Sequence, residues 1–338
     1  MDVLVIGGTG IISTGITEQL ADSDHDVTVY NRGETDITLP SGVEQVQGDR
    51  EALDQFETDM EALDPTAVID MRCFTPAEAQ SAIRAFPDVE RYLFCSTVAV
   101  YDHPVDSYPI TETSERKAAG ENYGEAKAEC ERIFDTAHEE SGFPVVTLRP
   151  GHTYGEGGNR GGLCYSLGWE QTAFVDRLRR GLPIVVHDSG TSLWASCHRD
   201  DVASAFVAAL EKGETGEHYQ VATETSYAWD NYLRTAARAI DAPEPELVHV
   251  PTDFIAAALP DQSELLVRDL KYSLKYDSSK AKEALGFDPE VSWADGFRRT
   301  VAWLDERGQI DTAESSHDDA VIAAWEQALE SGVSAVTE

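Results

Sequence analysis

The chain lacks the features that mark membrane-spanning and exported proteins. No apolar run approaches the roughly 18 residues that a membrane-spanning helix needs. Residues 1–6 include an acid instead of a basic segment and enter a strand pattern directly, so no signal peptide is indicated. The five cysteines are odd in number and scattered, without a Cys-x-x-Cys spacing, as is typical of reduced proteins. We therefore expect a cytoplasmic protein without a membrane partner.

Basic residues are also scarce. The 26 Lys and Arg stand against 62 Asp and Glu, which gives a formal net charge of -36 at pH 7. Such a charge repels nucleic acid and anionic membranes, and it destabilises a compact state at low salt. At about 1 M salt the Debye length is only ~3 Å, which screens this repulsion. Because the acids extend over the whole sequence, a halophilic source is favoured over an acidic mesophilic enzyme, and no nucleic-acid partner is expected.

Short apolar segments alternate with helical patterns through the first half of the chain. The predicted strands are residues 3–6, 27–30, 43–47, 67–70, 92–95 and 145–148. Buried apolar strands that alternate with helices predict an α/β fold with a Rossmann-like, doubly wound parallel sheet. The second half is more irregular, with proline-rich breaks, and indicates a smaller α/β lobe.

The length of the chain, 338 residues, fits one large domain or two moderate ones. We expect residues 1–175 to form a Rossmann domain that binds NAD(P), with about 198–222 returning to it. Residues 176–338 are expected to form mainly a substrate-binding lobe. This lobe should end in a helix over residues 318–331, for which Gly332 is a natural stop.

The N-terminal turn is the first segment with a chemical role. Here a strand pattern runs into Gly7-x-x-Gly10-x-x-Ser13 and then into a helical pattern, the context in which a glycine-rich loop binds a dinucleotide. Gly7 permits the tight turn, and Gly10 lets the backbone approach a pyrophosphate at the helix N-terminus, next to Ile11 and Ile12. Ser13 takes the place of the usual third glycine. A plain tight turn is the weaker alternative.

The end of the second predicted strand bears on the type of cofactor. An acid there would favour NAD, but the sequence is Tyr30-Asn31-Arg32-Gly33. Arg32 can pair with a 2′-phosphate, so NADP is favoured over NAD. A solvent-exposed turn arginine is the competing interpretation, and NAD remains open. After the third strand, Asp49 and Arg50 suit an adenine edge.

Tyr123-Gly-Glu-Ala-Lys127 carries the candidate acid/base chemistry. A free tyrosine titrates near ~10 and is a poor base at neutral pH. A lysine one helical turn later can hold its ammonium near the phenol and favour the phenolate. Lowering the pKa of the phenol by about three units needs roughly 4 kcal/mol, which Lys127 and a positively charged nicotinamide could supply together. Alone, the pattern also fits a solvated helix face.

Further segments follow in a characteristic order. They are Ser96-Thr97-Val-Ala-Val-Tyr101, Leu148-Arg-Pro150 with Tyr154-Gly155, His198-Arg-Asp-Asp-Val-Ala203, and Asp277-Ser-Ser-Lys-Ala281 with Leu285-Gly-Phe287. Together with the glycine turn and the Tyr123–Lys127 pair, they make the chain resemble the extended short-chain dehydrogenase/reductases. The resemblance is closest to the NAD-dependent epimerase/dehydratase family, which includes UDP-galactose 4-epimerase, and it spans nearly the whole length.

The resemblance implies roles for individual residues. Tyr123 is implied as the acid/base that exchanges the proton of a substrate hydroxyl while a hydride crosses to the nicotinamide. Lys127 is implied to lower the pKa of Tyr123 and to bind the nicotinamide ribose. Thr97 takes the family's Ser/Thr position and is implied to bind the same substrate oxygen, with Ser96 as the adjacent alternative.

Two residues after the sixth strand, Pro150 and His152, are expected beside the nicotinamide. For His152, a packed or capping residue is an equally good interpretation. His198 with Asp200 and Asp201 could suggest a metal site, but the segment fits a loop that enters a helix with Asp at its N-terminus. No metal is expected.

Departures from the family pattern bear on the substrate. Val98 and Ala99 follow Thr97, where 4,6-dehydratases have an Asp-Glu pair, so dehydration is disfavoured. Trp194 stands where sugar-nucleotide enzymes have an arginine clamp, and the usual Arg-x-Gly-Asp run before Asp277 is also missing. These losses weaken the case for a nucleotide-linked sugar. Three bases could compensate, although a surface position is the better interpretation for each: Arg160, Arg268 and Lys271.

The leading function is that of an NAD(P)-dependent epimerase or oxidoreductase acting on a secondary alcohol of a sugar or sugar derivative. The alternative is a one-way dehydrogenase or reductase of a free sugar, sugar acid or polyol. A non-catalytic RNA-binding or regulatory member of the superfamily is a weaker alternative, because the chain keeps its catalytic residues and its charge opposes RNA. A homodimer through the Tyr123 helix, usual in the family, is expected.

Overall fold

Helices and strands alternate from the N-terminus in this computed structural model, which describes residues 1–35, 37–158, 160–169 and 171–337. The strands are β1 (Asp2–Ile6), β2 (Asp26–Asn31), β3 (Glu44–Gln47), β4 (Ala67–Asp70), β5 (Arg91–Cys95), β6 (Val145–Pro150), β7 (His152–Tyr154), β8 (Cys164–Tyr165), β9 (Gly168–Trp169), β10 (Ile184–His187), β11 (Leu193–Trp194), β12 (Ser196–His198), β13 (His218–Val221), β14 (Tyr227–Ala228) and β15 (Leu247–Val250). The helices are α1 (Ile11–Ala21), α2 (Leu53–Leu63), α3 (Pro76–Ala85), α4 (Tyr123–Ser141), α5 (Ala173–Arg180), α6 (Arg199–Lys212), α7 (Trp229–Ala239), α8 (Thr252–Ala258), α9 (Ser279–Leu285), α10 (Trp293–Glu306) and α11 (Asp318–Thr337).

Seven of these strands form one parallel sheet in the order β13-β6-β5-β4-β1-β2-β3. The chain fills one half of the sheet from β1 through β3 and then returns to place β4 beside β1, with Ile6 opposite Asp70. The direction of strand order therefore reverses between β1 and β4. In open α/β sheets such a reversal opens a ligand-binding crevice at the carboxyl ends of the strands. The predicted Rossmann-like fold is confirmed.

The interior strand β1 shows that the sheet is covered on both faces. Its four residues from Val3 to Ile6 are at most 1% exposed. Val3 and Val5 pack with apolar residues of α1 and α6, whereas Leu4 and Ile6 pack with those of α2, α3 and α4. A strand buried on both faces needs a continuous apolar run, which is the pattern that the sequence carries.

The chain divides into two compact units. The first comprises Met1–Thr153, Ser196–Glu224 and Tyr276–Val291, and the second comprises Tyr154–Ala195, Thr225–Lys275 and the chain from Ser292 onward. The first unit contains the seven-stranded sheet and includes residues 198–222, which sequence analysis expected to return to it. Residues 154–175, which sequence analysis assigned to the Rossmann domain, lie in the second unit.

An aromatic cluster forms the core of the second unit. Trp293, at the start of α10, stacks on Tyr232 of α7 with ring centroids 4.0 Å apart. Trp229 of the same helix stacks on Trp194 of β11 at 5.0 Å. A two-stranded parallel sheet of β10 and β15 lies in the same unit.

The C-terminal helix departs from the prediction. It runs from Asp318 to Thr337 without stopping at Gly332. Glycine costs a helix about 1 kcal/mol relative to alanine, but it does not by itself end one. No helix of the described residues is both long and apolar enough to cross a membrane.

Candidate active site

The glycine turn after β1 has a backbone conformation that only glycine adopts easily. Gly7 and Gly8 have φ values of +106° and +66°. A Cβ atom on Gly8 would lie 2.4 Å from Cγ1 of Val29, so no side chain fits there. The N–H of Gly7 donates to the carbonyl of Tyr30 at 2.9 Å, which ties the turn to β2. The turn is therefore a fixed part of the sheet edge.

The start of α1 fits a dinucleotide phosphate. The N–H of Gly10 donates to Oγ of Ser13 at 2.7 Å, and α1 then begins at Ile11. The N–H groups of the first helical turn, here those of Ile11 and Ile12, have no partner within a helix and carry the positive end of its dipole. Ser13, which takes the place of the usual third glycine, is buried, and its hydroxyl accepts the hydrogen bond from Gly10. These donors suit an anion such as a diphosphate.

Asn31 joins the glycine turn to the segment that would select the cofactor. Its Nδ2 donates to the carbonyl of Gly7 at 3.2 Å, and its Oδ1 accepts from the N–H of Gly33 at 2.9 Å. Arg32, between them, is 51% exposed and pairs with exposed Glu34 at 3.2 Å. An exposed pair of this kind holds its partners weakly. Arg32 is therefore accessible to a ligand at the edge of the sheet.

The two residues predicted at the adenine edge have different environments. Asp49 is exposed, and its Oδ1 accepts from the N–H of Glu51 at 3.0 Å. Arg50 is only 4% exposed, and its Nε lies 3.3 Å from Oδ2 of Asp70. Its Nη2 donates to the carbonyl of Glu78 at 2.7 Å. The structure thus places the Arg50 guanidinium inside the protein as a partner of Asp70, unlike the position expected from the sequence, because Asp70 offers this cation a buried counter-charge.

Tyr123 and Thr97 meet where α4 begins. Asn122 caps the helix through its Oδ1, which accepts from the N–H of Glu125 at 3.1 Å, so Tyr123 is the first helical residue. Thr97 follows β5 and caps a short 3₁₀ turn, Val98–Val100, with its Oγ1 accepting from the N–H of Ala99 at 3.1 Å. The Thr97 side chain is close enough to the phenol of Tyr123 to act on its pKa.

The electrostatics of Tyr123 combine opposing effects. Tyr123 as a whole residue is 49% exposed. Burial is the largest effect and raises the pKa of Tyr123 above its usual value of 10, whereas the charge of Lys127 and the Thr97 side chain act to lower it. Lys127 acts in the expected direction, but burial outweighs it, so the pKa of the phenol is not lowered toward neutrality in the protein alone.

Lys127 lies one helical turn after Tyr123 and is 1% exposed. Its Nζ donates to the backbone carbonyls of Cys73 at 2.7 Å and Cys95 at 2.5 Å. It also lies 4.8 Å from the ring centroid of Phe74. Burial acts to lower the pKa of Lys127, but neighbouring acidic groups, Tyr123 first, outweigh it and raise this pKa above 10.5. The ammonium therefore stays charged beside the phenol.

Gly124 allows α4 to approach the Thr97 turn, a role that the sequence did not indicate. A Cβ atom on Gly124 would lie 2.2 Å from the carbonyl oxygen of Ala99 and 3.3 Å from Cδ of Lys117. Lys117 is 6% exposed, and its Nζ donates to the same carbonyl at 3.0 Å. The available signal was the glycine directly after Tyr123, near the start of a predicted helix.

Ser96 takes part in a buried ion-pair network. Its Oγ donates to Oε1 of Glu131 at 2.5 Å. Glu131 also accepts from Nε and Nη2 of Arg149 at 2.8 and 2.7 Å. Ser96 and Glu131 are at most 2% exposed, and Arg149 is 1% exposed. The alternative substrate role for Ser96 does not fit this position, because its hydroxyl is engaged with a buried carboxylate.

Pro150 ends β6, and Gly151 joins it to β7, which begins at His152. A Cβ atom on Gly151 would lie 2.9 Å from Cβ of Ala222, so a larger residue would be crowded by Ala222 at this position. His152 is 6% exposed, and its Nδ1 lies 2.7 Å from Oγ of Ser196. This position accords with the packed interpretation of His152.

The residues proposed for the substrate in the second unit are already engaged. Trp194 is 4% exposed within the aromatic cluster. Arg160 forms an ion pair with Asp311. Arg268 pairs with Glu264 at 2.8 Å, and Lys271 rests over the ring of Tyr272. These contacts fit the surface and core interpretations better than a substrate clamp.

The His198 segment caps α6. His198 is fully buried, and its Nδ1 accepts from the N–H of Asp200 at 3.3 Å, so the histidine and not an aspartate is the cap. Asp201 instead accepts from the N–H groups of Glu290 and Val291 at 3.0 and 3.1 Å. Within the described residues, no group of three or more His, Cys, Asp and Glu side chains is arranged to hold a metal ion.

Arg72 is a second cation that the sequence analysis did not select. It follows β4, and a Cβ atom on Gly7 would lie 3.0 Å from its Cγ. Its guanidinium lies 4.8 Å from the ring centroid of Phe74, and that ring lies 6.3 Å from the ring of Tyr123. A basic residue just after a buried strand was the signal available in the sequence.

A parallel α/β sheet with a glycine turn after β1 and a Tyr–Lys pair on α4 defines a dinucleotide-binding protein of the short-chain dehydrogenase type. The chain belongs to the NAD dependent epimerase/dehydratase family, whose model matches residues 3–222.

Individual relatives differ in what they are named for. The chain is 26% identical over 313 residues to 2'-dehydrokanamycin reductase of Streptomyces kanamyceticus, covering 92% of this chain and 87% of the relative. It is also 26% identical over 310 residues to chloroplast stem-loop binding protein of 41 kDa b of Arabidopsis thaliana, covering 87% and 77%. The structure of UDP-glucose 4-epimerase from Thermotoga maritima aligns with a TM-score of 0.72 at 22% identity, covering 91% of this chain and 99% of that one. At this identity the structural likeness establishes the fold.

Proposed function

We propose that the protein is an NAD(P)-dependent oxidoreductase or epimerase that transfers a hydride at a secondary alcohol of a sugar or sugar derivative. The observation that carries the proposal is the arrangement of Tyr123, Thr97 and Lys127. The phenol of Tyr123 is acted on by the Thr97 side chain and by the charged, buried ammonium of Lys127 at the N-terminal part of α4. This is the geometry that a reversible proton transfer to a substrate oxygen requires.

The roles of the residues follow from this geometry. Thr97 orients the substrate oxygen, and Tyr123 takes the hydroxyl proton while the carbon loses its hydride. In the reverse direction Tyr123 returns the proton to the oxygen as the carbon gains the hydride. A bound nicotinamide supplies the hydride acceptor or donor. Lys127 keeps its positive charge beside the phenol and lowers the free energy of the phenolate, assisted by the positive end of the α4 dipole.

Burial of the phenol opposes this deprotonation, so the protein alone is not poised as a base. The positive charge of an oxidised nicotinamide would act in the same direction as Lys127. We therefore infer that Tyr123 becomes an effective base only when the oxidised cofactor is bound. This couples proton transfer to occupancy of the cofactor site.

NADP is the favoured cofactor. Arg32 is exposed at the edge of the sheet, its position is fixed by the Asn31 contacts with Gly7 and Gly33, and its pair with Glu34 is weak enough for a 2′-phosphate to replace it. Replacing Arg32 by glutamine should weaken NADP⁺ binding about tenfold and leave NAD⁺ binding unchanged, as measured by calorimetry. Equal losses for both nucleotides would contradict the assignment.

The substrate is a sugar-type alcohol, and two reaction outcomes are open. Epimerisation regenerates the cofactor, whereas a one-way dehydrogenase or reductase consumes it. The resemblance to 2'-dehydrokanamycin reductase over most of both chains favours the one-way reaction. The engagement of Trp194 in an aromatic cluster and of Arg160 with Asp311 favours a substrate without a nucleotide.

The deciding experiment is a screen at high salt with NAD(H) and NADP(H) against nucleotide-linked sugars, free sugars and sugar acids. Net consumption of added cofactor would identify a dehydrogenase or reductase, and product formation without it an epimerase. Tyr123→Phe should abolish turnover and leave cofactor affinity nearly unchanged. Tyr108→Phe is the matched control, because Tyr108 is also 49% exposed and lies outside the site. A fully active Tyr123→Phe protein would disprove the catalytic assignment.

An RNA-binding role is the weaker candidate. It draws on the resemblance to the chloroplast stem-loop binding protein. A net charge of -36 opposes it, since RNA binding depends on cations that neutralise phosphates. Retention of a labelled stem-loop RNA at 0.1 M salt by the wild-type protein, together with no turnover in the screen, would favour it over the enzyme.

A further inference from the structure

We propose that Arg72 binds the diphosphate of the dinucleotide, as a cation distinct from Arg32. The inference rests on the proposed NAD(P)-dependent function and extends it to a residue that neither the glycine turn nor the Tyr–Lys pair includes.

Arg72 lies where the order of the strands reverses. Ile6 of β1 and Asp70 of β4 are opposite each other in the parallel pair. Gly7 therefore follows β1, and Arg72 follows β4, at the same carboxyl end of the sheet. Ligands of open α/β sheets bind in the crevice at this reversal, with the diphosphate against the first glycine turn.

The side chain of Arg72 begins in contact with that turn. A Cβ atom on Gly7 would lie 3.0 Å from Cγ of Arg72 and 3.6 Å from its Cδ. The N–H of Arg72 donates to Oδ1 of Asp70 at 2.8 Å, and Asp70 is fully buried between Arg50 and Tyr92. The backbone that carries Arg72 is thus fixed by a buried carboxylate.

The other end of Arg72 approaches the acid/base pair. Its guanidinium carbon lies 4.8 Å from the ring centroid of Phe74. The same ring lies 6.3 Å from the ring of Tyr123 and 4.8 Å from Nζ of Lys127. Arg72 therefore connects the glycine turn with the ring that contacts the Tyr–Lys pair. The guanidinium would therefore be available to the diphosphate of a dinucleotide bound between the turn and Tyr123.

The guanidinium can exchange its present partner for a phosphate. Its Nη2 lies 3.5 Å from Oε1 of Glu51, longer than a charge-assisted hydrogen bond of about 2.7–2.9 Å. The two side chains are 40% and 62% exposed. Arginine binds phosphate oxygens with two parallel hydrogen bonds, which is a stronger arrangement than this open pair.

The test is calorimetric binding of ADP, NAD⁺, NADP⁺ and adenosine to the full-length protein at one fixed salt concentration. Arg72→Gln should weaken all three diphosphates about tenfold and leave adenosine unchanged. Arg84→Gln is the matched control, because it removes the same charge from the pair that Arg84 of α3 forms with Glu57 of α2, and it should change no dissociation constant. Arg72→Lys should lose part of the affinity, since it keeps the charge and loses the fork.

The Glu51→Gln variant distinguishes direct binding of the diphosphate by Arg72 from a structural role of Arg72. If Arg72 binds the diphosphate, removing its acidic neighbour should leave ADP affinity equal or higher. If Arg72 acts only through its pair with Glu51, both variants should weaken ADP alike, and the proposal is overturned. Unchanged ADP binding by Arg72→Gln also overturns it, with the NAD(P)-dependent function intact. A wild-type protein that binds no ADP overturns the proposal as well. A tenfold loss in a protein without turnover on any sugar would instead uphold Arg72 and contradict the proposed reaction.

Discussion

Replacing Gly124 by alanine adds a single methyl group at the contact between α4 and the Thr97 turn. That methyl carbon would lie 2.2 Å from the carbonyl oxygen of Ala99 and 3.0 Å from its carbonyl carbon. Both are backbone atoms, and the oxygen is held by the ammonium of buried Lys117. The contact therefore cannot be relieved by rotating a side chain. The start of α4, with Tyr123, has to move away from Thr97.

The size of the effect follows from that displacement. A carbon and an oxygen at 2.2 Å have to separate by about 1 Å to reach a van der Waals contact. A shift of this size at a catalytic group costs about 100-fold in rate. Overpacking a buried contact also costs about 1–3 kcal/mol of stability, partly offset by the higher helix propensity of alanine. We expect kcat to fall about 100-fold.

The assay measures kcat, the dissociation constant of the cofactor and urea unfolding for the same protein at fixed salt. Cofactor affinity should stay nearly unchanged, because the glycine turn joins β1 to α1 and does not include α4. Gly332→Ala is the control for the same substitution in a helix. A Cβ atom there meets nothing within 4 Å, so stability should rise by up to about 1 kcal/mol and kcat should not change. Wild-type kcat and stability in Gly124→Ala would refute the close-contact argument.

Two further predictions concern stability. Burial alone would raise the pKa of Glu131, but the charge of Arg149 outweighs burial and holds this pKa below its usual value. The pair therefore stabilises the protein above pH ~4.3, and this stability is lost as the pH falls through the lowered pKa. Glu131→Gln should lower the unfolding free energy by about 3–5 kcal/mol at pH 7 and make it depend less on pH below that value. An unchanged dependence of the unfolding free energy on pH would mean that the pair contributes nothing. The net charge of -36 predicts that the unfolding free energy rises between about 0.1 and 1 M KCl, and a flat salt dependence would count against a halophilic protein.

The sequence predicted the sheet well because its central strands are buried on both faces. Residues 67–70 form a strand over the predicted positions, and the strand at residues 3–6 gains only Asp2. In such strands almost every side chain is apolar for the same reason, with Asp70 at the end of β4 as the exception, so the signal does not depend on knowing the partners. The helix bearing Tyr123 and Lys127 was predicted from spacing within one helix, which is also local information.

Charged and hydroxyl side chains were harder to place. Arg50 looked like a ligand after β3, yet it is buried against Asp70, 20 residues later. Ser96 and Thr97 are adjacent and chemically alike, but Glu131, 35 residues away from Ser96, takes the hydroxyl of Ser96. Which of two similar side chains faces a ligand depends on groups that only the fold brings together.

The pKa of Tyr123 has the same limitation. Spacing gives the sign of the effect of Lys127, because a cation one turn away always favours the phenolate. The opposing effect of burial depends on how much protein surrounds the hydroxyl, and spacing does not contain that quantity. In the protein alone burial is the larger of the two effects. The same is true of Gly332, where the sequence offers a stop signal and the structure continues the helix.

The helix α4 combines the residues of the proposed acid/base pair with stabilising ion pairs along one side. Tyr123, Lys127, Glu131 and Asp135 recur every four residues and therefore lie along the same side of α4. Lys127 is satisfied by two neutral carbonyls, so its charge stays uncompensated and can act on the phenol. Glu131 is instead neutralised by the Arg149 fork, and Asp135 lies 2.8 Å from His218. The charge of Lys127 is thus left available near the start of the helix, whereas that of Glu131, one turn later, is paired. For this reason substitutions of Glu131 should act on unfolding and those of Tyr123 on turnover.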